Sequence, residues 1–226
     1  LKIARLDADT LFGIPIFVLR TGPKFSWGLF LKGIFDIISG LFFTILSFPV
    51  IVLSALAIKL TSPGPILFKQ ERCGIQGRKF KVFKLRTMYV NAERMKEGLE
   101  AENIMDGPVF KLENDPRITS VGRFLRKMSM DELPQFWNVL LGQMSLVGTR
   151  PPTPNEVAEY EYCQHRRASI TAGITGVWQS SGRNQVGDFA EIVRLDLQYI
   201  DTWNLWLDVR ILLKTVWVVF KRDGSS

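Results

Sequence analysis

Histidine and cysteine are nearly missing from this chain. Its 226 residues include one histidine, His165, and two cysteines, Cys73 and Cys163. The cysteines stand far apart and in no metal spacing, which excludes a His/Cys zinc site. They do not suggest a disulfide framework, so a reducing compartment is the expectation. A histidine-based triad would have to use His165, whose setting, CQHRRAS, is basic. A metal, if bound, falls to carboxylates, which selects Mg²⁺ or Mn²⁺. No internal repeat and no low-complexity tract is present.

Charge is missing too, over one long stretch. From Ile37 to Ile58 no residue is ionisable, with Asp36 and Lys59 at the borders. As a straight helix the stretch would be about 33 Å long, enough to cross a bilayer. Pro49 inside it predicts a break or kink near Phe48, and Ser47 is placed to bond carbonyls that the proline leaves free. The flanks are basic on both sides: Arg20, Lys24 and Lys32 before; Lys59, Lys69, Arg72 and others after. Positive flanks mark the cytoplasmic side. Both ends therefore prefer the same side, as in a helix that enters, bends and returns. The competing reading is the buried core helix of a soluble protein.

What is present is basic and globular. Net charge is +7 and 46% of residues are hydrophobic. Nucleic acid, an anionic membrane surface or phosphorylated substrates fit that balance. The expected fold class is α+β and helix-dominated, with three regions. Residues 1–27 are an N-terminal extension, with Leu1 in place of Met reading as a fragment or processed form. Residues 28–61 are a re-entrant membrane helix, and 62–226 a catalytic domain.

SPGP at 62–65 predicts a turn, and alternation on both sides of GIQG predicts a hairpin with strands near 66–72 and 79–87. In the extension, LFGIPIFVLR reads as extended and Pro15 argues against helix. VNAERMKEGLEAEN reads as a polar helix. DPRITSVGRFLRKMSM reads as a turn and an amphipathic helix, with Val121, Phe124, Leu125 and Met128 on one face and Arg123, Arg126 and Lys127 towards the other. That pattern suits either an anionic membrane surface or an ordinary half-buried helix. GQMSLVGTRPPTP reads as a rigid loop and AGITGVWQSSGRN as a Gly/Ser-rich one. The last element carries Trp203, Trp206 and Trp217, an interfacial belt or core packing.

The residues SMDELPQFWNVLL place Asp131 and Glu132 side by side before an apolar run. Ser129 with Glu132 three residues later is a capping-box pattern, and Pro134 fits a helix start. Capping is one full account of the pair. A carboxylate nucleophile is the other, since the same placement aims an ionised carboxylate outward. Arg126 lies just upstream, Arg150 in a stiff Pro-rich loop and Arg183 in SGRN. Arginines on such loops suit bidentate phosphate binding.

Four blocks then carry a resemblance: SPGPILFKQERCGIQGRKFKVFKLRTM, NDPRITSVGRFLRKMSMDELPQFWNVLLGQMSLVGTRP, ITAGITGVWQSSGRN and LDLQYIDTWNLWLDVRILLKT. From about Gly28 to the C-terminus the chain resembles the bacterial sugar transferases, the monotopic polyprenyl-phosphate phosphoglycosyltransferases. The resemblance implies transfer of a sugar-1-phosphate from a UDP-sugar to polyprenyl phosphate, such as undecaprenyl phosphate, with release of UMP. This is the first membrane step of exopolysaccharide, capsule, O-antigen or glycoprotein glycan assembly. It implies Asp131 as nucleophile through an aspartyl-phosphosugar intermediate, Glu132 as its assistant, and Mg²⁺ as cofactor with Asp131 a ligand. It implies substrate contacts from Arg126, Arg150, Pro151, Arg183, Asn184, Lys84 and Arg86, and a membrane break at Ser47 and Pro49. Thr149 stands where the family's Pro-Arg-Pro motif has its first proline. Membrane lipid is an implied partner and nucleic acid is not; homo-oligomers are compatible. The implied location is the bacterial inner membrane, catalytic domain on the cytoplasmic face. The rival readings are a UDP-releasing membrane glycosyltransferase and a non-catalytic basic membrane scaffold.

Overall fold

The computed structural model describes residues 5–11, 14–20, 27–96, 98–99, 103, 110, 112, 115–180 and 188–221. It is an α+β fold dominated by helices, with three two-stranded sheets among the described residues. β1 (Arg5–Leu11) and β2 (Ile14–Arg20) pair antiparallel, Leu11 opposite Ile14. The extended piece expected there is a strand, and the segment before it is its partner. Pro15 is tolerated because a two-stranded ladder has only edges.

α1 (Trp27–Thr61) is a single 35-residue helix that runs on through Pro49. The expected break is therefore not an interruption of the helix. Ser47 Oγ donates to Thr44 O at 3.3 Å, and Thr44 Oγ1 to Gly40 O at 2.7 Å. The serine thus serves a carbonyl next to that of Ile45, the one an i−4 ladder loses at a proline.

The helix is packed inside out. Its buried residues are Asp36, Gly40, Ser47, Ser54 and Ile58. Successive separations of 4, 7, 7 and 4 put them on one seam. Ile37, Ile38, Leu41, Phe42, Ile45, Leu46, Phe48 and Leu53 face outward. A soluble core helix would bury those side chains, so the core-helix reading fails. Among the described residues this is the one helix long and apolar enough to cross a membrane.

The seam fastens both ends of α1 to one body. Near the start, Lys32 Nζ donates to Val147 O at 3.0 Å and to Asp208 Oδ2 at 2.7 Å. Leu146 N donates to Asp36 Oδ1 at 3.0 Å. In the middle, a Cβ on Gly40 would lie 3.1 Å from Val139 Cγ1, and Phe43 stacks on Phe136 with centroids 5.3 Å apart. Towards the end, Ile58 joins Leu85 and Leu125, with Ile51, Ile66, Val121 and Met130 against them.

The body begins with β3 (Leu67–Cys73) and β4 (Lys79–Leu85), antiparallel with Leu67 opposite Leu85. The expected hairpin stands, its second strand two residues shorter. Its turn is a 3₁₀ piece, Ile75–Gly77, in which Gln76 (φ 54°) and Gly77 (φ 74°) are left-handed. α2 (Ala92–Lys96) is the described part of the polar helix. In α3 (Ser120–Lys127) Gly122 and Leu125 are buried. Phe124, grouped by its spacing on one face with Val121, Leu125 and Met128, is exposed, as are Arg123 and Lys127. α4 (Gln135–Leu140) follows.

β5 (Ser145–Val147) and β6 (Gly173–Thr175) pair in parallel, where the sequence suggested only loops. Between them lie α5 (Pro154–Ala158) and a 3₁₀ helix, Tyr162–Ser169. α6 (Val177–Ser180), α7 (Phe189–Thr202) and α8 (Leu205–Lys221) complete the described residues. The main core gathers Val82 of β4, Val139 of α4, Leu146 and Val147 of β5, Val193, Leu197 and Ile200 of α7, and Ile211 of α8. Of the three tryptophans, Trp203 packs on this core, while Trp206 and Trp217 are exposed. Core packing and an outward belt each describe part of that segment.

Asp208, 1% exposed, accepts from Lys32, from Tyr199 Oη at 2.7 Å and from Trp203 Nε1 at 3.2 Å. Asp208→Ala leaves the Lys32 ammonium with the Val147 carbonyl and, as its carboxylate partner, the more distant Asp36 at 3.6 Å. Breaking one partner of a buried pair is strongly destabilising, so a loss of about 3 kcal/mol is expected, read as a lower thermal midpoint in detergent.

Candidate active site

Asp131 and Glu132 lie on a 3₁₀ turn, Met130–Glu132, between α3 and α4. Ser129 reverses the chain into this turn with φ 53° and ψ 21°. A non-glycine residue in that region costs of order 1 kcal/mol or more. The Ser129 side chain makes no capping bond, and the pair precedes α4 by Leu133 and Pro134. The capping-box account is corrected: the left-handed turn carries Ser129 off the geometry a cap needs. Pro134 does stand at the start of α4, as expected. Met130, the residue before Asp131, packs against the cluster that Ile58 of α1 forms with Leu85 and Leu125. The acidic pair thus sits against the long apolar helix.

Cations converge on the pair from two elements. Lys84 of β4 donates from Nζ to Glu132 Oε1 at 2.9 Å. Arg126, in the last turn of α3, donates from Nε to Thr87 Oγ1 at 2.9 Å. Burial draws its guanidinium below the usual range, and Asp131 is the foremost of the acids that oppose this. Asp131 itself is 8% exposed. Thr87 is the hub that seats α3: its carbonyl accepts from Thr119 N at 3.0 Å, and Thr119 Oγ1 caps the helix by accepting from Gly122 N at 2.9 Å. Gly122 is the close approach, since a Cβ there would lie 2.0 Å from Thr87 O.

A second cluster forms around Glu156. Arg150 donates to it from Nη1 at 3.0 Å and from Nη2 at 3.4 Å. Arg72 of β3 places Nη1 3.8 Å from Glu156 Oε1 and donates from Nη1 to Pro151 O at 2.9 Å. Cys73 N donates to Pro152 O at 2.8 Å. Burial would raise the Glu156 carboxyl, but Arg150 and then Arg72 hold it below its usual value. Thr149 tightens this loop: its Oγ1 donates to Arg167 O at 3.0 Å, and its carbonyl accepts from Gly173 N at 2.9 Å. Pro151 is buried and meets Arg72 through its carbonyl.

The structure therefore brings together Asp131, Glu132, Lys84 and Arg126, and separately Arg150 and Pro151. Glu132 is the weakest of the charges that bear on Arg72, after Arg150 and Glu156 of its own cluster. Arg86 turns to the end of α1, where its guanidinium donates to Ser62 Oγ at 2.8 Å, Ser62 O and Pro63 O. Arg183 and Asn184 lie outside the described residues. His165 is exposed with its ring edge-on to Tyr160 at 5.9 Å. Sequence reasoning missed Thr87, Arg72 and Glu156. Only Glu156 had a signal, the TPNE capping box, which forms between Thr153 and Glu156.

Among the described residues no three His, Cys, Asp or Glu side chains gather as a metal cage. Mg²⁺ commonly takes one or two carboxylates and completes its shell with phosphate oxygens and water. Asp131 beside Glu132 fits that kind of site, and Glu132 keeps Lys84 as a partner.

The sequence pattern of the bacterial sugar transferase family matches residues 27–222. The chain belongs to that family. It is 55% identical over 163 residues to the galactosyl transferase CpsE of Streptococcus agalactiae, covering 72% of this chain and 36% of that protein. It is 43% identical over 234 residues to the undecaprenyl-phosphate galactose phosphotransferase of Salmonella typhimurium, covering 100% of this chain and 48% of that one. The exopolysaccharide production protein ExoY of Sinorhizobium fredii is 35% identical, with both chains covered in full. The chain thus spans half or less of the first two relatives and the whole of the third.

Gly122→Ala tests how finely this family member's Arg126 is set. The added methyl pushes α3 off Thr87 and moves Arg126 relative to Asp131. A misplacement near 1 Å costs about 10²-fold in rate, so any transfer activity is expected to drop to that extent with the fold retained, checked by turnover beside near-UV circular dichroism.

Proposed function

We propose that this bacterial sugar transferase moves a sugar-1-phosphate from a UDP-sugar to polyprenyl phosphate and releases UMP. The observation that carries the reading is the buried Asp131, bracketed by Arg126 and by the Lys84–Glu132 pair on the surface of α1. The names of relatives support the substrate classes: undecaprenyl phosphate with galactose in Salmonella, and UDP-glucose with undecaprenyl phosphate in Escherichia coli.

In the first step an Asp131 carboxylate oxygen attacks the phosphorus that bears the sugar. The P–O bond to the bridging oxygen breaks, and its electron pair leaves on UMP as a terminal phosphate oxygen. In the second step an oxygen of polyprenyl phosphate attacks the same phosphorus and the Asp131 carboxylate departs. An anion attacking a diphosphate meets repulsion, which Arg126 and Lys84 reduce. Glu132 assists the second displacement, with Lys84 holding its orientation. Mg²⁺, held by Asp131 with Glu132 beside it, would supply further neutralisation of the phosphate charge.

The same reading places α1 in the cytoplasmic membrane as a re-entrant or embedded helix. Its outward side chains are apolar, and residues near both ends bond to one body. That is difficult for a helix whose ends emerge on opposite sides.

Asp131→Asn is expected to lower transfer by at least about 10³-fold, as loss of a covalent nucleophile does, while the protein stays folded. Mass spectrometry of the wild type with donor alone should find a phosphosugar adduct on Asp131. Release of UDP in place of UMP, or full activity in the Asn variant, contradicts the mechanism. For topology, cysteines placed at Trp27 and Lys69 in a Cys163→Ser background should react with a membrane-impermeant reagent from the same face of sealed vesicles. Reaction from opposite faces contradicts re-entry.

A further inference from the structure

Glu156 is one carboxylate shared by two guanidiniums. It is 7% exposed and accepts from Thr153 N at 3.2 Å and from both terminal nitrogens of Arg150, with Arg72 Nη1 at 3.8 Å. Locally the charge sums to one positive in excess. Arg72 is further fixed by bonds from Nε at 3.0 Å and Nη2 at 2.6 Å to Gln70 Oε1. Burial first, and then repulsion from Arg150, lower Arg72 to about 10, so it is still cationic at neutral pH. Two like charges pressed around one anion form an arrangement that a second anion relieves. Arg150 keeps a quarter of its side chain exposed, on a loop fixed by Thr149 and by the Pro151 and Pro152 carbonyls.

We propose that Arg72, a residue outside the motif arginines, is a positioning residue for the nucleotide phosphate. Arg150 meets the α-phosphate of the donor; Arg72 holds the Pro151 carbonyl and supplies the surplus charge; Glu156 keeps Arg150 aimed while the site is empty. When the bridging P–O bond breaks, the negative charge that appears on the UMP phosphate falls beside this excess positive charge. The two clusters then divide the diphosphate: Asp131, Arg126 and Lys84 take the transferred phosphoryl group, and Arg150 with Arg72 the departing one. This rests on the UMP-releasing reading above.

The test uses the full chain in lipid nanodiscs, with UMP as the probe. Calorimetric UMP affinity, UMP product inhibition, and KM for donor and acceptor are compared for the wild type, Arg72→Gln and Arg72→Lys. Arg72→Gln should weaken UMP binding at least tenfold and raise donor KM to a similar degree, with acceptor KM within twofold. Arg72→Lys should recover part of the loss, because charge returns without the planar fork. A folded Arg72→Gln protein with UMP affinity within twofold of wild type overturns the proposal. So does an equal rise in donor and acceptor KM, which marks general damage. If Arg72→Gln does not fold, Arg72→Lys decides: a threefold or greater weakening supports the proposal and no change removes it. If the wild type releases UMP and Arg72→Gln behaves as wild type, only this inference falls. If the wild type releases UDP, the parent reading falls first.

Discussion

The structure depends on a reversed helix. α1 turns lysine, aspartate, glycine and serine towards the protein and most of its isoleucines, leucines and phenylalanines away from it. The polar stripe is what protein contacts can satisfy: Asp36 takes the Leu146 amide and Lys32 takes Asp208 and the Val147 carbonyl. The outward stripe offers a large apolar area that water penalises and an apolar surrounding does not. One amphipathic pattern thus fixes both the helix's seat on the domain and the side on which the domain meets its surroundings. Met130 packs on the cluster that Ile58 of that helix shares with Leu85 and Leu125, so the acidic turn is held beside the apolar helix.

From that seat the rest follows by short backbone distances. Gly122 lets α3 touch the strand end at Thr87, and Arg126 lands on the Thr87 hydroxyl. Ser129 turns the chain in a left-handed conformation and sets the carboxylates between α3 and α4. Gly148 and Gly173 press backbone on backbone, a Cβ on Gly173 falling 2.1 Å from Gly148 N, and so launch the loop that bears Arg150. Each of these positions leaves no room for a larger side chain or adopts a dihedral most residues avoid. The precision of the site comes from backbone contacts, and the charged side chains inherit it.

These local choices explain what the chain disclosed before folding. The uncharged run, the GIQG hairpin and the basic amphipathic helix were plain because each spans several periods of its pattern. Family motifs singled out Asp131, Glu132, Arg126 and Arg150. β5 and β6 were not visible: each has only three residues, too few to show alternation, and β5 is buried on both faces. The apolar face of α3 left two readings open, and the fold divides it: the close approach of Gly122 to Thr87 sets the helix so that Leu125 is buried while Phe124 is exposed. Ser129 was misread because Ser-x-x-Glu has a second outcome when the serine turns left-handed. Arg72 gave no hint at all, since its partners Pro151 and Glu156 are distant in sequence.

The Lys32–Asp208 bond joins residues 176 apart. Synthesis is vectorial, at roughly 5–20 residues per second. The nascent α1 therefore waits on the order of ten to thirty seconds before its counterion leaves the ribosome, with Asp36, one turn away, as the only neutralising group within its own helix. Until then that i, i+4 pair is the neutralising contact available within α1 to a charge that the folded protein sets against α8.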